Sequence, residues 1–170
     1  MIEIRPLRAT DDRSTFRCGN PDLDSFFQQY AGQNQFRHHI GVTLVAVEGV
    51  RILGFATIAA AGIEIDDLPG RRKKGLARYP LPVLRLARLA ADENARGRGI
   101  GKKLLKEVLR QAQQMTGRYG CVGVVVDAKP DVIDYYKKLG FEPMTVVEGH
   151  LQERPQPVPM FLPLGAVPRK

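Results

Sequence analysis

Apolar and polar positions along the 170-residue chain alternate with two periods, one suited to strands and one to helices. The opening "IEIRPL" alternates like a half-buried strand. In Asn20–Gln35, Leu23, Phe26, Phe27 and Tyr30 fall at helical spacing, with Asn20 placed to cap the helix ahead of Pro21. Val42–Ile65 holds two apolar runs joined at Glu48–Arg51, which predicts a hairpin. Asp66–Pro82 is basic and punctuated by Pro and Gly, the composition of a long loop, and Val83–Asp92 has the character of a central strand. Leu104, Leu105, Val108, Leu109, Ala112 and Met115 line up on one face of a helix expected to stop at Gly117. Cys121–Asp127 is a β-branched run that reads as a buried strand. Pro130–Gly140 reads as a short helix, with Leu139 and Phe141 expected in the core. A last strand is expected within Met144–Leu151 or Pro159–Leu164. A helix, antiparallel strands and then β-α-β-α-β make a mixed α/β architecture, and the length fits one domain.

Composition adds little to that picture until charge is located. The chain is 44% hydrophobic and 26% charged, as folded proteins are. No signal-like opening and no uninterrupted apolar run of ~18 residues stands in it, so a cytoplasmic protein without a membrane span is expected. Cys18 and Cys121 show no metal-ligand spacing and are expected as reduced thiols, and no metal site is expected. The formal net charge is +8, yet Arg71–Arg110 alone holds thirteen Lys or Arg against three acids, a net +10. Such focusing suits a phosphate-bearing partner or a solvated basic face, and composition does not separate the two.

The chemistry concentrates where the central strand gives way to the long helix, at "LARLAADENARGRGIGKKLL". The first amides of a helix lack intrahelical partners and its dipole adds partial positive charge there, so a glycine turn at that end can take an anion. A Walker loop would need Gly where Arg96 stands and a hydroxyl where Lys103 stands. The dinucleotide fingerprint fails as well, because its third glycine would fall on Lys102. What the segment does contain is Arg-x-x-Gly-x-Gly, Arg96 to Gly101.

That loop resembles the acetyl-coenzyme-A loop of the GNAT (GCN5-related N-acetyltransferase) superfamily, and Tyr136-Lys137-Lys138-Leu139-Gly140-Phe141 resembles the superfamily's second motif in the expected order. The resemblance implies a GNAT fold with acetyl-CoA as co-substrate. It assigns cofactor contacts to Leu89, Ala90 and Ala91 on the strand, and to Arg96, Gly97, Arg98, Gly99, Ile100, Gly101 and Lys102 in the loop. It also assigns a cofactor contact to Lys129, which stands where many members carry Asn. A narrower likeness joins Phe16–Gln35, Tyr79–Asp92, Val124–Ala128 and the terminal "MFLPL" to GNAT toxins of bacterial toxin–antitoxin modules. It implies acetylation of the α-amine of aminoacyl-tRNA, a block on translation, neutralisation by a ribbon-helix-helix antitoxin, and a homodimer. Arg71, Arg72, Lys73, Lys74, Arg78 and Arg85 would then bind RNA through phosphate contacts.

Acetyl transfer needs a neutral amine, a polarised thioester carbonyl and a proton for the thiolate. The α-amine of an aminoacyl ester titrates near or below ~8, so no dedicated base is demanded. Tyr136 is the candidate general acid, with Tyr135 beside it as the other phenol; a tyrosine packed only by its ring is the structural alternative. His38 and His39 are expected at the surface or near RNA, Cys18 as a structural thiol, and Asp22 and Asp24 as caps or solvent-facing acids. Two other functions fit the sequence less fully. One is a GNAT acting on a small amine or on a protein Lys or N-terminus; the other is a non-catalytic nucleic-acid-binding module.

Overall fold

The computed structural model describes residues 1–64, 80–144 and 158–166. Its chain divides into two compact units, Met1–Ala59 with Leu86–Arg110, and Ala60–Arg85 with Gln111–Lys170. The architecture is mixed α/β, as the sequence pattern implies.

In the first unit, β1 (Glu3–Pro6) pairs antiparallel with β2 (Val42–Glu48), and β2 with the first part of β3 (Arg51–Ile63), up to Ile58, so Glu48 lies opposite Arg51 across the expected hairpin. The pairing slips once: Ala46 faces Gly54 but Val47 faces Ile52, which leaves Leu53 as the extra residue of a β-bulge. The C-terminal half of β4 (Leu81–Ala91) completes this part of the sheet.

The N-terminal helix begins as predicted, with the Asn20 side chain accepting from the amides of Asp22 and Leu23. It is not one α-helix, however. A π-turn over Phe26–Tyr30 separates α1 (Pro21–Ser25) from α2 (Ala31–Phe36). The extra residue in that turn shifts the buried stripe by one place. Ala31 becomes buried and Tyr30, expected on the apolar face, is exposed. Phe16, Phe26, Phe27 and Phe55 meet beneath it, with Phe27 stacked on Phe55 at 4.4 Å.

The long helix α3 spans Ile100–Arg118 and buries Leu104, Leu105, Val108 and Ala112. It passes through Gly117 and stops at Arg118, and Gly120, with a φ of 90° and an amide bond to the Met115 carbonyl, forms the C-terminal cap. Only a residue at ease in the left-handed region serves there, and Gly117 is helical instead.

The second unit carries the N-terminal half of β4, then β5 (Gly123–Ala128), β7 (Val158–Pro163) and β6 (Glu142–Pro143), with β5–β7 and β6–β7 antiparallel. β4 starts at Leu81, earlier than the sequence pattern implies. Pro82 is tolerated in it because its carbonyl alone is used, accepting from Val122 N–H at 2.8 Å. Pro130–Val132 forms a 3₁₀ turn leading into α4 (Ile133–Lys138). Phe141 is buried, but Leu139 is 37% exposed, contrary to its expected core place. Leu139 caps α4 from outside, and the left-handed Gly140 then turns only Phe141 inward. Of the two candidate last strands, Pro159–Leu164 is realised as β7; the other falls almost wholly outside the described residues. Ile63, Leu81, Val83, Val125, Met144 and Phe161 form this unit's apolar cluster.

Candidate functional site

The glycine turn belongs to the first unit. β4 ends at Ala91, Asp92 opens a 3₁₀ turn over Glu93–Ala95, and Arg96–Gly99 leads into α3. Gly97 and Gly99 have φ of 80° and 73°, a conformation that side-chain-bearing residues rarely adopt. The first bond into the helix runs from Lys103 N–H to the Gly99 carbonyl at 3.1 Å, so the amides of Ile100, Gly101 and Lys102 come before any intrahelical acceptor. Gly101 is different from its two neighbours. Its φ is not positive, and a Cβ built there meets no atom within 4 Å. Among the described residues, neither backbone conformation nor packing demands glycine at that helical position, where Gly costs about 1 kcal/mol against Ala. A ligand pressed against the backbone would demand it.

Two residues that the sequence reading passed over hold this turn in place. Asp92 is buried, and its carboxylate accepts from Arg17 N–H at 3.2 Å and Asn94 N–H at 2.9 Å. Its own amide donates to the Leu53 carbonyl at 2.8 Å, the carbonyl of the bulge residue. Arg51 adds a weaker ionic contact at 3.8 Å. Gly54 is the second. A Cβ there would lie 2.6 Å from Ile100 Cγ2 and 2.8 Å from the Ala90 carbonyl, so glycine alone lets the start of α3 close on the sheet. Asp92 carries a capping signature legible in "DENA"; Gly54 looks like any strand glycine.

The loop cations divide. Arg98 forms a two-point pair with Glu48 at 2.7 and 3.4 Å, and that pair holds the Glu48 carboxyl below its ordinary range. Arg96 reaches the Cys18 carbonyl at 3.5 Å. Lys102 and Lys129 are exposed, as are His38 and His39. Leu89 and Ala91 are half-buried and Ala90 is buried at the end of β4. Arg88 lies 3.7 Å over the Phe26 ring, and burial lowers its pKa, so this member of the basic segment is turned to packing. Cys18 and Cys121 are free thiols, and burial pushes both up from their ordinary range. The Asp24 carboxylate caps the Cys18 amide at 2.8 Å, one of the expected uses of that acid.

Tyr136 belongs to the second unit. It is 5% exposed, while its neighbour Tyr135 is 37% exposed. The Tyr136 ring meets Phe141 edge-on at 5.3 Å and Tyr135 at 5.4 Å. Burial, with a smaller contribution from Tyr135, pushes its phenol up to about 12, so it stays protonated across the physiological range. Arg85, on β4, pairs with Asp127 on β5 at 3.2 Å. Arg71, Arg72, Lys73, Lys74 and Arg78 lie outside the described residues, as does His150.

Residues 39–143 match the acetyltransferase (GNAT) domain family, well over half of the chain. This chain belongs to the GNAT acetyltransferase family. It is an N-acetyltransferase, and acetyl-CoA is its co-substrate. A curated relative from Mycobacterium tuberculosis (strain ATCC 25618 / H37Rv), a tRNA-acetylating toxin, is 30% identical over 127 residues, 75% of each protein. Among solved structures, AtaT complexed with acetyl-methionyl-tRNAfMet has a similar fold. Its TM-score is 0.84 at 23% identity, over 98% of this chain and 97% of that one. A mutant AtaT toxin bound to the C-terminus of the antitoxin AtaR and acetyl-CoA has a TM-score of 0.77 at 24% identity, over 96% and 94%. Among the described residues, no helix of the GNAT chain is long and apolar enough to cross a membrane.

Proposed function

We propose that this acetyltransferase is the toxin of a toxin–antitoxin pair and transfers acetyl from acetyl-CoA to the α-amine of aminoacyl-tRNA, blocking translation. The observation that carries this reading is the likeness to the mycobacterial tRNA-acetylating toxin over three quarters of both proteins. A ribbon-helix-helix antitoxin is the proposed neutralising partner, the single domain works as a homodimer in the cytoplasm, and the basic residues Arg71–Lys74, Arg78 and Arg85 approach RNA. The antitoxin-bound neighbour supports the existence of such a partner.

The diphosphate of coenzyme A is assigned to the amides of Ile100, Gly101 and Lys102, with Gly97 and Gly99 shaping the turn and Arg96 and Arg98 adding charge. Lys129 is a surface cation beside the cofactor in this reading. The backbone of Leu89–Ala91 holds the pantetheine arm and polarises the thioester carbonyl. The neutral amine attacks that carbonyl, the C–N bond forms, and the C–S bond breaks as the intermediate collapses. The new amide nitrogen loses one proton and the thiolate gains one, so the reaction balances without an outside acid.

Tyr136 carries that proton. A phenol at about 12 is a weak acid toward a thiolate whose thiol titrates near ~8.5, so simple donation runs uphill. Transfer becomes favourable when the phenol takes the nitrogen proton as it releases its own to sulfur. The reading is tested by adding purified protein and acetyl-CoA to a translation extract. N-acetylated aminoacyl-tRNA and stalled synthesis are expected. An extract in which every charged tRNA stays unmodified, while a free amine or a protein amine is acetylated, would assign the enzyme to ordinary amine acetylation instead.

A further inference from the structure

One cation of the first unit is neither paired nor fully in water. Arg88 is half-buried on β4 and stacks 3.7 Å over the Phe26 ring. Burial lowers its pKa, and among the described residues no carboxylate raises it in return. Arg85, Arg98 and Arg110 differ, since each of them faces a carboxylate. Stacking uses the flat face of a guanidinium and leaves its N–H donors, which lie in the plane, unbonded. Those donors still reach solvent: Arg85 Nε is the one side-chain nitrogen or oxygen among the described residues that is both buried and without a partner. A charge drawn half out of water without an acceptor is unfavourable, and an anion seated in the guanidinium plane would offset that loss.

The place of Arg88 in the first unit is equally specific. Phe26 opens the π-turn, whose i→i+5 bond runs from Ala31 N–H to the Phe26 carbonyl, and such turns are frequent at functional sites. Side chains alternate along β4, so Arg88 shares a face with Leu86 and Ala90, and Ala90 belongs to the cluster of Phe26 and Phe55. The helix α3 lies on the other face, because Gly54, the residue before Phe55 on β3, is directed at Ile100 and Leu104. With the cofactor's diphosphate assigned to the start of α3, the Arg88 face is the side left for the acceptor. One residue further along, Leu89 begins the backbone stretch assigned above to the pantetheine arm and the thioester carbonyl.

We propose that Arg88 binds a phosphate of the acceptor strand, the one nearest the aminoacyl ester, through its in-plane N–H groups while Phe26 holds the guanidinium flat. The assignment rests on the aminoacyl-tRNA reading above and deepens it, because it names how the esterified end of the RNA is held. Two parallel N–H groups match two phosphate oxygens, and the contact fixes register without reading sequence. Every charged tRNA presents that phosphate, so Arg88 contributes affinity and alignment but no choice among amino acids.

The test compares wild type with Arg88→Met, which keeps the packed length without charge or donors, and with Arg88→Lys, which keeps the charge without the fork. The acceptors are bulk charged tRNA and, cleaved from it, the aminoacyl esters of adenosine 5′-monophosphate and of adenosine, which differ by that phosphate. Arg88→Met should raise KM for charged tRNA about tenfold or more, the loss of a hydrogen bond to a charged group. It should also flatten the dependence of log KM on log salt by about 0.7, the share of one contact to a single strand. Arg88→Lys should raise KM less and keep most of the salt dependence. Wild type should favour the phosphate-bearing ester about tenfold or more, and Arg88→Met should erase that preference. The Kd for acetyl-CoA should stay within about twofold in both variants. Salt dependence unchanged in Arg88→Met, a phosphate preference that survives it, or acetyl-CoA affinity falling in parallel would overturn the contact while leaving acetyl transfer standing. Wild-type protein that binds acetyl-CoA yet acetylates no aminoacyl ester, free or on tRNA, would remove the aminoacyl-tRNA reading itself.

Discussion

At the scale of single residues, two groups decide most of what the site can do. Tyr136 is kept neutral by burial, and the sign of its effect on stability follows directly. Its folded pKa, about 12, lies above the ~10 of an exposed phenol, so the fold favours the protonated form. That contribution is intact below pH ~10 and is lost as pH climbs toward 12. In an alkaline absorbance titration one phenol should therefore ionise late, and Tyr136→Phe should delete that late step. The same substitution should cut kcat by about a hundredfold or more, within the range of general acid–base effects, without weakening acetyl-CoA binding. Unchanged turnover would take the phenol out of the mechanism. Asp92 is the other group. Asp92→Ala strands the amides of Arg17 and Asn94 and should lower stability by about 1–3 kcal/mol, measured by urea unfolding. The turn it holds should loosen too, and acetyl-CoA affinity should drop with it.

At the scale of elements, the loop is legible in the sequence because its requirements are local. Left-handed glycines, a helix start and a preceding strand all show in consecutive residues, and Gly97, Gly99 and α3 appear where the spacing puts them. The features that hold the loop are not local. Asp92 meets Arg17 across seventy-five positions, and the bulge at Leu53 becomes apparent only from its pairing with β2. Gly54 acquires its meaning from Ile100 and Leu104, on a helix that no strand pattern reveals. The π-turn likewise replaces Tyr30 by Ala31 through one extra residue that an ideal helical period cannot anticipate. Two substitutions separate holding the loop from using it. Gly54→Ala should push α3 off β3, lowering both the melting temperature and acetyl-CoA affinity. Gly101→Ala meets no neighbour and relieves a helix of its glycine, so it should raise stability by about 0.5–1 kcal/mol. Its methyl group should still weaken acetyl-CoA binding, because the ligand approaches there. Stability and affinity moving in the same direction in Gly101→Ala would mean that the backbone at this position faces nothing.

Over the molecule as a whole, the basic segment is less uniform than its net +10 implies. Arg85, Arg88, Arg98 and Arg110 are engaged with Asp127, Phe26, Glu48 and Glu107, whereas Lys102, Lys103 and Lys106 are exposed. An acceptor gripped through its phosphates should feel salt more than the cofactor does. Between 50 and 200 mM salt, KM for charged tRNA should rise about tenfold or more while KM for methionine methyl ester barely moves. Equal sensitivity for the two acceptors would locate recognition at the amino ester alone. All of this depends on the anion grip at the start of α3, which is measured most directly by calorimetric titration with acetyl-CoA and with S-acetylpantetheine, which lacks the diphosphate. Wild type should bind acetyl-CoA far more tightly, and Gly99→Glu should erase that preference and leave the two ligands equally weak. Gly99→Glu protein that still favours acetyl-CoA as wild type does would place the diphosphate elsewhere and contradict the account.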